Sequence, residues 1–290
     1  MTHWKFGIIG GSGLYDLPGL TDVSHRVVET PWGAPSDALT TGTLNGVDIV
    51  FLPRHGRGHR IPPHDINYRA NIAALKMAGC SDIISISACG SLKAELPPGR
   101  FVVVDQYIDR TRSRANSFFD TGCAAHVSIA EPVCHRLAAL AAEAAEAAGA
   151  PVTRGGTYLA MEGPQFSSRA ESALYRSWGC DVIGMTNMPE ARLAREAELP
   201  YASIAMVTDY DSWKVDEAAV DVPAVLAVMR QNADLAQLTI ARLTDMVSDR
   251  DRTPSPQGIE TGLDTAIITP PDARDPELVR KLKAIAGRVL

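Results

Sequence analysis

Short apolar runs recur along the chain, each bounded by glycine, proline or polar residues. Runs of five to eight residues rich in Val, Ile and Leu are typical of strands that are buried on both faces of a sheet. The candidate strands are Lys5–Ile9, Val47–Leu52, Asp82–Ser87, Phe101–Asp105, Val182–Met185 and Tyr201–Thr208.

Helical patterns lie between several of these runs. The segment Tyr68–Ala78 carries apolar residues at helical spacing and ends before Gly79, and the Ala-rich segment Leu137–Ala148 ends before Gly149. Glu190–Ala197 is a further predicted helix, entered through a proline. The alternation of strands and helices predicts a single α/β domain.

The last forty residues follow a different pattern. Ser248–Gly258 is rich in Pro, Ser, Arg and Asp and is predicted to be a loop. Asp275 is placed to cap a last helix whose apolar residues recur at helical spacing. We expect this stripe to pack on the body of the protein or on a neighbouring subunit. Its members are Leu278, Leu282, Ile285 and Val289.

Composition and charge narrow the class of protein. Apolar residues make up 46% and charged residues 21%, as in a soluble globular enzyme. A net charge of −6 argues against a nucleic-acid-binding surface, which would be basic. The five cysteines lack C-x-x-C spacing, so we expect reduced, buried thiols in the cytoplasm. Neither a signal peptide nor a membrane span is expected from the hydropathy pattern.

An acidic pair follows the last apolar run directly, in the order Asp209-Tyr210-Asp211. If the strand continues, period-two alternation places both carboxylates on one face. Burying two acids is costly without a partner, so the pair indicates a ligand that donates protons or carries a metal.

Four other segments have the composition of an anion site. Glycines and hydroxyl residues allow backbone N–H groups and side chains to approach a phosphate, and arginine supplies planar donors. Each segment alone is equally typical of a tight turn or a solvated basic loop. Because ligands of α/β proteins bind outside the carboxyl ends of strands, together they favour a small oxyanion, phosphate. The segments are Gly7–Gly13, Pro53–Arg60, Ser85–Ser91 and Met185–Asn187.

Read together, these segments resemble the trimeric purine nucleoside phosphorylases, and most closely the branch that acts on 5′-methylthioadenosine. The resemblance runs in one order from Lys5 to Ile268. It is carried by GIIGGSGLYD, PRHGRGHRIPP, DINYRANI, SACGSL, MEGPQFSSRAES, MTNMPEARLAREAELPYASIAM and TDYDSW.

The family resemblance implies a central mixed β-sheet flanked by helices, at residues 1–270, followed by a C-terminal helical extension at 271–290. It implies a cytoplasmic homotrimer in purine and methionine salvage. Its partners would be a nucleoside and phosphate, with no metal or cofactor, no nucleic acid and no membrane. Phosphate would be a co-substrate.

The resemblance also assigns roles to residues. The phosphate contacts would be Ser12, Arg54, His55, Ser87, Ala88 and Thr186. The nucleoside contacts would be Phe166, Met185, Asp209, Tyr210 and Asp211. The residues near the 5′ group would be His126, Val222 and Val225, although His126 is equally typical of a structural histidine.

Two positions favour an adenine base. Related 6-oxopurine enzymes carry Glu and Asn where this chain has Ser167 and Asp209. A carboxylate accepts from the 6-amino group of adenine, whereas Asn can also donate to a 6-oxo group. Val222 would make the pocket around the 5′ group apolar, which suits a thioether better than a hydroxyl. The expected substrate is therefore 5′-methylthioadenosine.

The candidate catalytic residues are Asp209 and His55. Asp209 would handle a proton at purine N7 while Asp211 binds the 6-amino group, and this requires a raised pKa at Asp209. Four alternatives stay open at this stage: a 6-oxopurine or methylthioinosine phosphorylase, a water-using nucleosidase, a metal-dependent D-x-D glycosyl transferase, and a non-catalytic nucleoside-binding protein.

Overall fold

A computed structural model describes residues 3–11, 14, 17–214 and 222–290, and the side chains of 222–225 are outside that description. Its strands are β1 Lys5–Gly10, β2 Thr21–Arg26, β3 Leu39–Leu44, β4 Val47–Pro53, β5 Asp82–Ser91, β6 Phe101–Val103, β7 Gln106–Asp109, β8 Val152–Arg154, β9 Thr157–Ala160, β10 Val182–Gly184 and β11 Tyr201–Asp209. The helices are α1 Tyr68–Met77, α2 His135–Ala147, α3 Arg169–Ser177, α4 Asn187–Glu196, α5 Val222–Val247 and α6 Pro276–Ala286.

The strands form one mixed sheet in the order β2-β3-β4-β1-β5-β10-β9-β7, with β11, β6 and β8 joined through the other edge of β5. Strands β4, β1, β5 and β11 are mutually parallel where they pair, whereas β10 is antiparallel to β5. The carboxyl ends of four parallel strands therefore meet at one edge. The expected mixed α/β architecture is confirmed.

Helices cover both faces of this sheet. Along β5, Ile83 packs into the apolar layer beneath α1, α4 and α6, whereas Ile84 and Ile86 pack into the layer beneath α2 and α5. The two layers follow from the alternation of side chains along a strand. Because both faces are covered, the central strands are apolar at almost every position.

The predicted elements are present, with shifted ends. The strand predicted to stop at Ser87 continues to Ser91, so Ser87 and Ala88 lie within a strand and not in a loop after it. Pairing with β11 on one edge and with Val182 of β10 on the other holds this extension. Strands β2, β3, β7, β8 and β9, and helices α3 and α5, were not predicted from the sequence.

The C-terminal segment packs against the body of the protein. The carboxylate of Asp275 accepts from Leu278 N at 2.7 Å and caps α6, as the sequence predicts. Leu282 and Ile285 are buried in the same layer as α1. The boundary at residue 270 stays a prediction.

The cysteines and the helices were the subject of two further predictions. All five cysteines are free and buried, as predicted. Within the described residues, every helix is too short or too polar to cross a bilayer.

Candidate active site

A cavity of about 230 Å³ opens at the edge where the parallel strands end. Six strands, with the residues that directly follow them, and α5 contribute to its wall. The residues that line it include Gly11 after β1, Arg54 and His55 after β4, Ser87–Gly90 in β5, Gly184–Thr186 at the end of β10, Thr208, Asp209 and Asp211 at the end of β11, and Met229 and Ala233 of α5.

Arg54 is fixed at one end of this cavity. Its side chain is 1% exposed and forms a two-pronged ion pair with Glu190, with N–O distances of 2.9 and 3.2 Å. It also donates to Ser85 Oγ at 2.6 Å and to the Ile86 carbonyl at 3.1 Å. An arginine has five N–H donors, so the described residues engage four and leave one on Nη1. One directed donor can therefore face an anion.

Hydroxyl groups surround the same end. Ser87 donates its hydroxyl to the Asn187 side-chain oxygen at 3.3 Å, and the Asn187 amide donates to Tyr107 at 3.4 Å and to Ser203. Thr186 precedes α4 and is buried, and its side chain makes no helix-capping bond. Asn187 thus fixes the Ser87 hydroxyl on the cavity wall beside Thr186.

His55 is held in one neutral form. Its Nδ1 lies 2.8 Å from the Ile61 carbonyl, which can only accept, so Nδ1 carries the hydrogen and Nε2 is left to accept. The ring stacks on His59 with centroids 4.1 Å apart. Burial lowers the pKa of His55 to about 4, and the positive charges of Arg54 and Arg114 act in the same direction. The side chain is therefore uncharged near neutral pH.

Replacing His55 tests this assignment through acid stability. The folded pKa of about 4 lies below the ordinary value of about 6.5, so the stability that His55 contributes is present above pH 6.5 and lost as the pH falls through 4. We predict that the wild type loses up to about 3 kcal/mol more unfolding free energy than His55→Asn between pH 7.5 and 4.

The measurement is urea unfolding in phosphate-free buffer at both pH values. His135→Asn, at a histidine whose side chain is 54% exposed, is the matched substitution for comparison. Equal losses in the wild type and His55→Asn would contradict the assignment.

The acidic pair lies at the other end of the cavity, in a turn. Strand β11 ends at Asp209, and Asp211 has a φ of 51°, in the left-handed region. The condition for both carboxylates to lie on one face of a strand, an extended chain through Asp211, is therefore not met. The reason is a side-chain bond: Asp209 Oδ1 accepts from Asp211 N at 2.8 Å and closes the turn. Both acids still line the cavity.

Burial dominates the electrostatics of both acids. It raises the pKa of Asp209, and the neighbouring Asp211 charge adds to the rise, although bonds from the Thr208 hydroxyl and Asp211 N oppose it. Burial also raises the pKa of Asp211, and the nearby hydroxyls of Ser172 and Ser167 oppose this rise. Among the described residues, Asp211 Oδ2 is buried without a hydrogen-bond partner. The pair can accept hydrogen bonds from a ligand and can hold a proton more readily than free carboxyls.

The predicted site residues fall into three groups: residues on the cavity wall, described residues away from it, and residues outside the description. Those on the cavity wall are Arg54, His55, Ser87, Ala88, Phe166, Met185, Thr186, Asp209 and Asp211. Tyr210, Ser167 and His126 are not among the lining residues of the described chain. Tyr210 donates to the Ala94 carbonyl at 3.4 Å, Ser167 is buried behind Asp211, and His126 is exposed. Ser12 lies outside the described residues, as do the side chains of Val222 and Val225.

Sequence reasoning missed several wall residues. Met161, Met206 and Met229 line the cavity with Met185, so thioethers form much of its apolar surface. Met161 belongs to the segment MEGPQFSS, where it could have been noticed. Glu190 was predicted only as part of a helix, because nothing in the sequence links it to an arginine 136 positions away.

The sequence of the chain matches a known protein family. The family model of the phosphorylase superfamily matches residues 5–245, and the chain belongs to this superfamily.

Individual relatives cover nearly the whole chain. It is 58% identical over 290 residues to the S-methyl-5′-thioadenosine phosphorylase of Bradyrhizobium diazoefficiens, across 100% of this chain and 99% of that protein. It is 58% identical over 284 residues to the protein of that name from Cereibacter sphaeroides, across 98% of each.

Solved structures of similar proteins have the same fold. A methylthioadenosine phosphorylase from an Antarctic soil metagenomic library superimposes with a TM-score of 0.91 at 44% identity, across 98% of this chain and 99% of that one. The enzyme from Schistosoma mansoni, in complex with adenine, gives a TM-score of 0.84 at 37% identity, across 94% and 99%.

Proposed function

We propose that this protein uses inorganic phosphate to cleave the N-glycosidic bond of S-methyl-5′-thioadenosine, giving adenine and 5-methylthioribose 1-phosphate. The observation that carries the proposal is the polarity of the cavity. Buried donors lie at one end, around Arg54 and Ser87, beside Ile86 of β5. Carboxylate acceptors lie at the other end, at the half-buried Asp209 and the buried Asp211, beside Gly90 of the same strand. Phosphate oxygens need hydrogen-bond donors, whereas the 6-amino group of a purine needs acceptors, so the two ends of the cavity match the two substrates.

The donor end binds and aims the nucleophile. Phosphate oxygens would accept from the remaining Nη1 N–H of Arg54 and from the Thr186 hydroxyl, with Ser12 proposed as a further donor. The Ser87 hydroxyl has one hydrogen, so it would turn from Asn187 Oδ1 to donate to the phosphate. Since His55 Nε2 is an acceptor, it would take the hydrogen bond of a phosphate hydroxyl. An anion held here also stabilises the positive charge that develops at C1′.

The acceptor end activates the leaving group. A phosphate oxygen forms a bond to C1′ while the bond from C1′ to N9 breaks and its electron pair moves into the purine. Asp209 transfers a proton to N7, so that adenine leaves neutral. The raised pKa of Asp209 is what this role requires. Asp211 accepts from the 6-amino group through its carboxylate, whose Oδ2 lacks a hydrogen-bond partner among the described residues.

The middle of the cavity suits the sugar and its 5′ group. Met185 would contact the ribose and Phe166, at the cavity mouth, the purine face. Met229 and Ala233 bring an apolar stretch of α5 to the wall, and Val222 and Val225 precede them on the same helix at helical spacing. A methylthio group matches such a surface better than a hydroxyl does.

Several finer points extend the proposal. Inorganic phosphate is the co-substrate, and no resident cofactor or metal takes part. We place the enzyme in the cytoplasm, in purine and methionine salvage, as a homotrimer in which His126 of one subunit approaches the 5′ pocket of another. The exposed position of His126 is compatible with that arrangement.

A substrate comparison tests the proposal. Methylthioadenosine, adenosine, inosine and methylthioinosine are assayed with saturating phosphate, and base release is measured. We expect kcat/KM to be highest for methylthioadenosine, and higher for each 6-amino nucleoside than for its 6-oxo partner, because the carboxylate assigned to the 6-position, Asp211, accepts but does not donate. A preference for inosine or methylthioinosine would overturn the base assignment.

The remaining alternatives are separated in the same assay. A metal-dependent D-x-D transferase would lose activity with a chelator, whereas phosphorolysis through Arg54 and Asp209 should keep it. A binding protein would retain the nucleoside in dialysis without releasing base.

A further inference from the structure

Arg114 lies behind the cavity wall, in the irregular segment after β7. Its side chain is 1% exposed, yet it is not among the residues that line the cavity. A buried arginine needs partners for its charge and for its five donors. Most of those partners come from two cavity-forming segments, and one more, the Tyr68 hydroxyl, comes from α1.

The first segment follows β9. Arg114 Nε donates to Glu162 Oε1 at 2.8 Å, and Nη2 donates to the carbonyls of Glu162 at 2.7 Å and Met161 at 3.4 Å. The other carboxylate oxygen of Glu162 accepts from the backbone of Arg112 and Ser113. These bonds fix the start of the segment that carries Met161 and Phe166 to the cavity wall.

The second segment joins β10 to α4. The two N–H groups of Arg114 Nη1 are shared among three acceptors: the Met185 carbonyl at 2.5 Å, the Met188 carbonyl at 2.8 Å and, from α1, the Tyr68 hydroxyl at 3.0 Å. Met188 has a φ of −118° and a ψ of 134°, which are not helical values. The guanidinium therefore holds the carbonyls on both sides of Thr186 and Asn187.

These contacts link the two ends of the site. Thr186 and Asn187 belong to the donor end, whereas Met161, Phe166 and Met185 form the wall between donors and acids. We propose that Arg114 is a positioning residue that fixes the spacing between the phosphate subsite and the nucleoside subsite. It acts through the carbonyls of Met161, Met185 and Met188, and does not touch either substrate.

The inference rests on the proposed function, and Arg114→Lys tests it. Lysine keeps the charge but replaces a planar five-donor fork with three donors on one atom, so it cannot hold both segments. Because a shift of about 1 Å can cost 10²-fold in rate, we expect kcat/KM for methylthioadenosine to fall about 100-fold. We also expect the KM for phosphate to rise, which a mere loss of folded protein cannot produce.

Arg252→Lys is the matched control. Arg252 is equally ion-paired, with Asp82 and Glu260, and its side chain is 6% exposed, but Asp82 begins β5 at the edge opposite the cavity. We expect this variant to lose thermal stability while its kcat/KM and its phosphate KM stay within about threefold of the wild type. Equal kinetic effects at Arg114 and Arg252 would overturn the inference.

A second variant, Arg114→Ala, distinguishes lost positioning from misfolding as the cause of lost activity. Arg114→Ala leaves a slot that a guanidinium ion fits, so added guanidinium at low millimolar concentration should restore activity at least tenfold in Arg114→Ala and not in Arg252→Ala. If Arg114→Ala is insoluble, Arg114→Lys decides alone, and wild-type kinetics in that folded variant overturn the inference. Failure of the proposed function itself would appear in the wild type, as no phosphate-dependent release of adenine.

Discussion

Asp209→Asn should lower kcat/KM for methylthioadenosine by about 10³-fold, within the range of 10²- to 10⁴-fold that a positioned general acid contributes. The amide cannot transfer a proton to N7, so the purine would have to leave as an anion. Asn can however donate to a 6-oxo group, so activity on inosine relative to adenosine should rise. Both effects are read from steady-state base release.

The matched control is Asp264→Asn. Asp264 has a half-exposed side chain and pairs with Arg288 in the C-terminal segment, away from the cavity. It should leave kinetics within about twofold of the wild type, as expected for a surface ion pair. Retention of full turnover and of the adenine preference in Asp209→Asn would refute the proton-transfer role.

Arg54→Met should remove most phosphate-dependent activity and destabilise the fold. We expect kcat/KM for phosphate to fall about 10²- to 10³-fold, since a directed charge-assisted donor is lost. Glu190 would be left as an unpaired buried carboxylate, which costs about 3–5 kcal/mol. The unfolding free energy from urea titration and the KM for phosphate measure the two losses separately.

Arg54→Met combined with Glu190→Gln distinguishes the two effects. Removing both charges eliminates the unpaired carboxylate, so most of the lost stability should return while phosphate-dependent activity stays low. A stable double variant with wild-type KM for phosphate would show that Arg54 only supports the fold.

The sequence predicted the central strands well because a sheet covered on both faces requires nearly continuous apolar runs, as in Tyr201–Thr208. It missed β2, whose six residues are all exposed and include a single apolar residue, Val23. It also missed the end of β5, since Ser87–Ser91 reads as a loop until its pairing partners are known.

The wall of the candidate site was predictable where its residues lie in contiguous motifs, as for Arg54 and His55. Its supporting residues were not. Glu190 and Arg114 act through partners 136 and 46 to 74 positions away, and a single sequence contains no record of such pairs. The sequence left open whether the strand continues through Asp211, and a side-chain bond that Asp209 accepts from Asp211 N closes a turn there.

Phosphorolysis itself is tested most directly by following methylthioadenosine with the purified enzyme, with and without inorganic phosphate, by ³¹P NMR and adenine release. We predict that adenine forms only when phosphate is present, with one equivalent of a sugar 1-phosphate resonance for each adenine released. Equal adenine release without phosphate, accompanied by free methylthioribose, would contradict the role assigned to Arg54, Ser87 and Thr186 and would identify a nucleosidase.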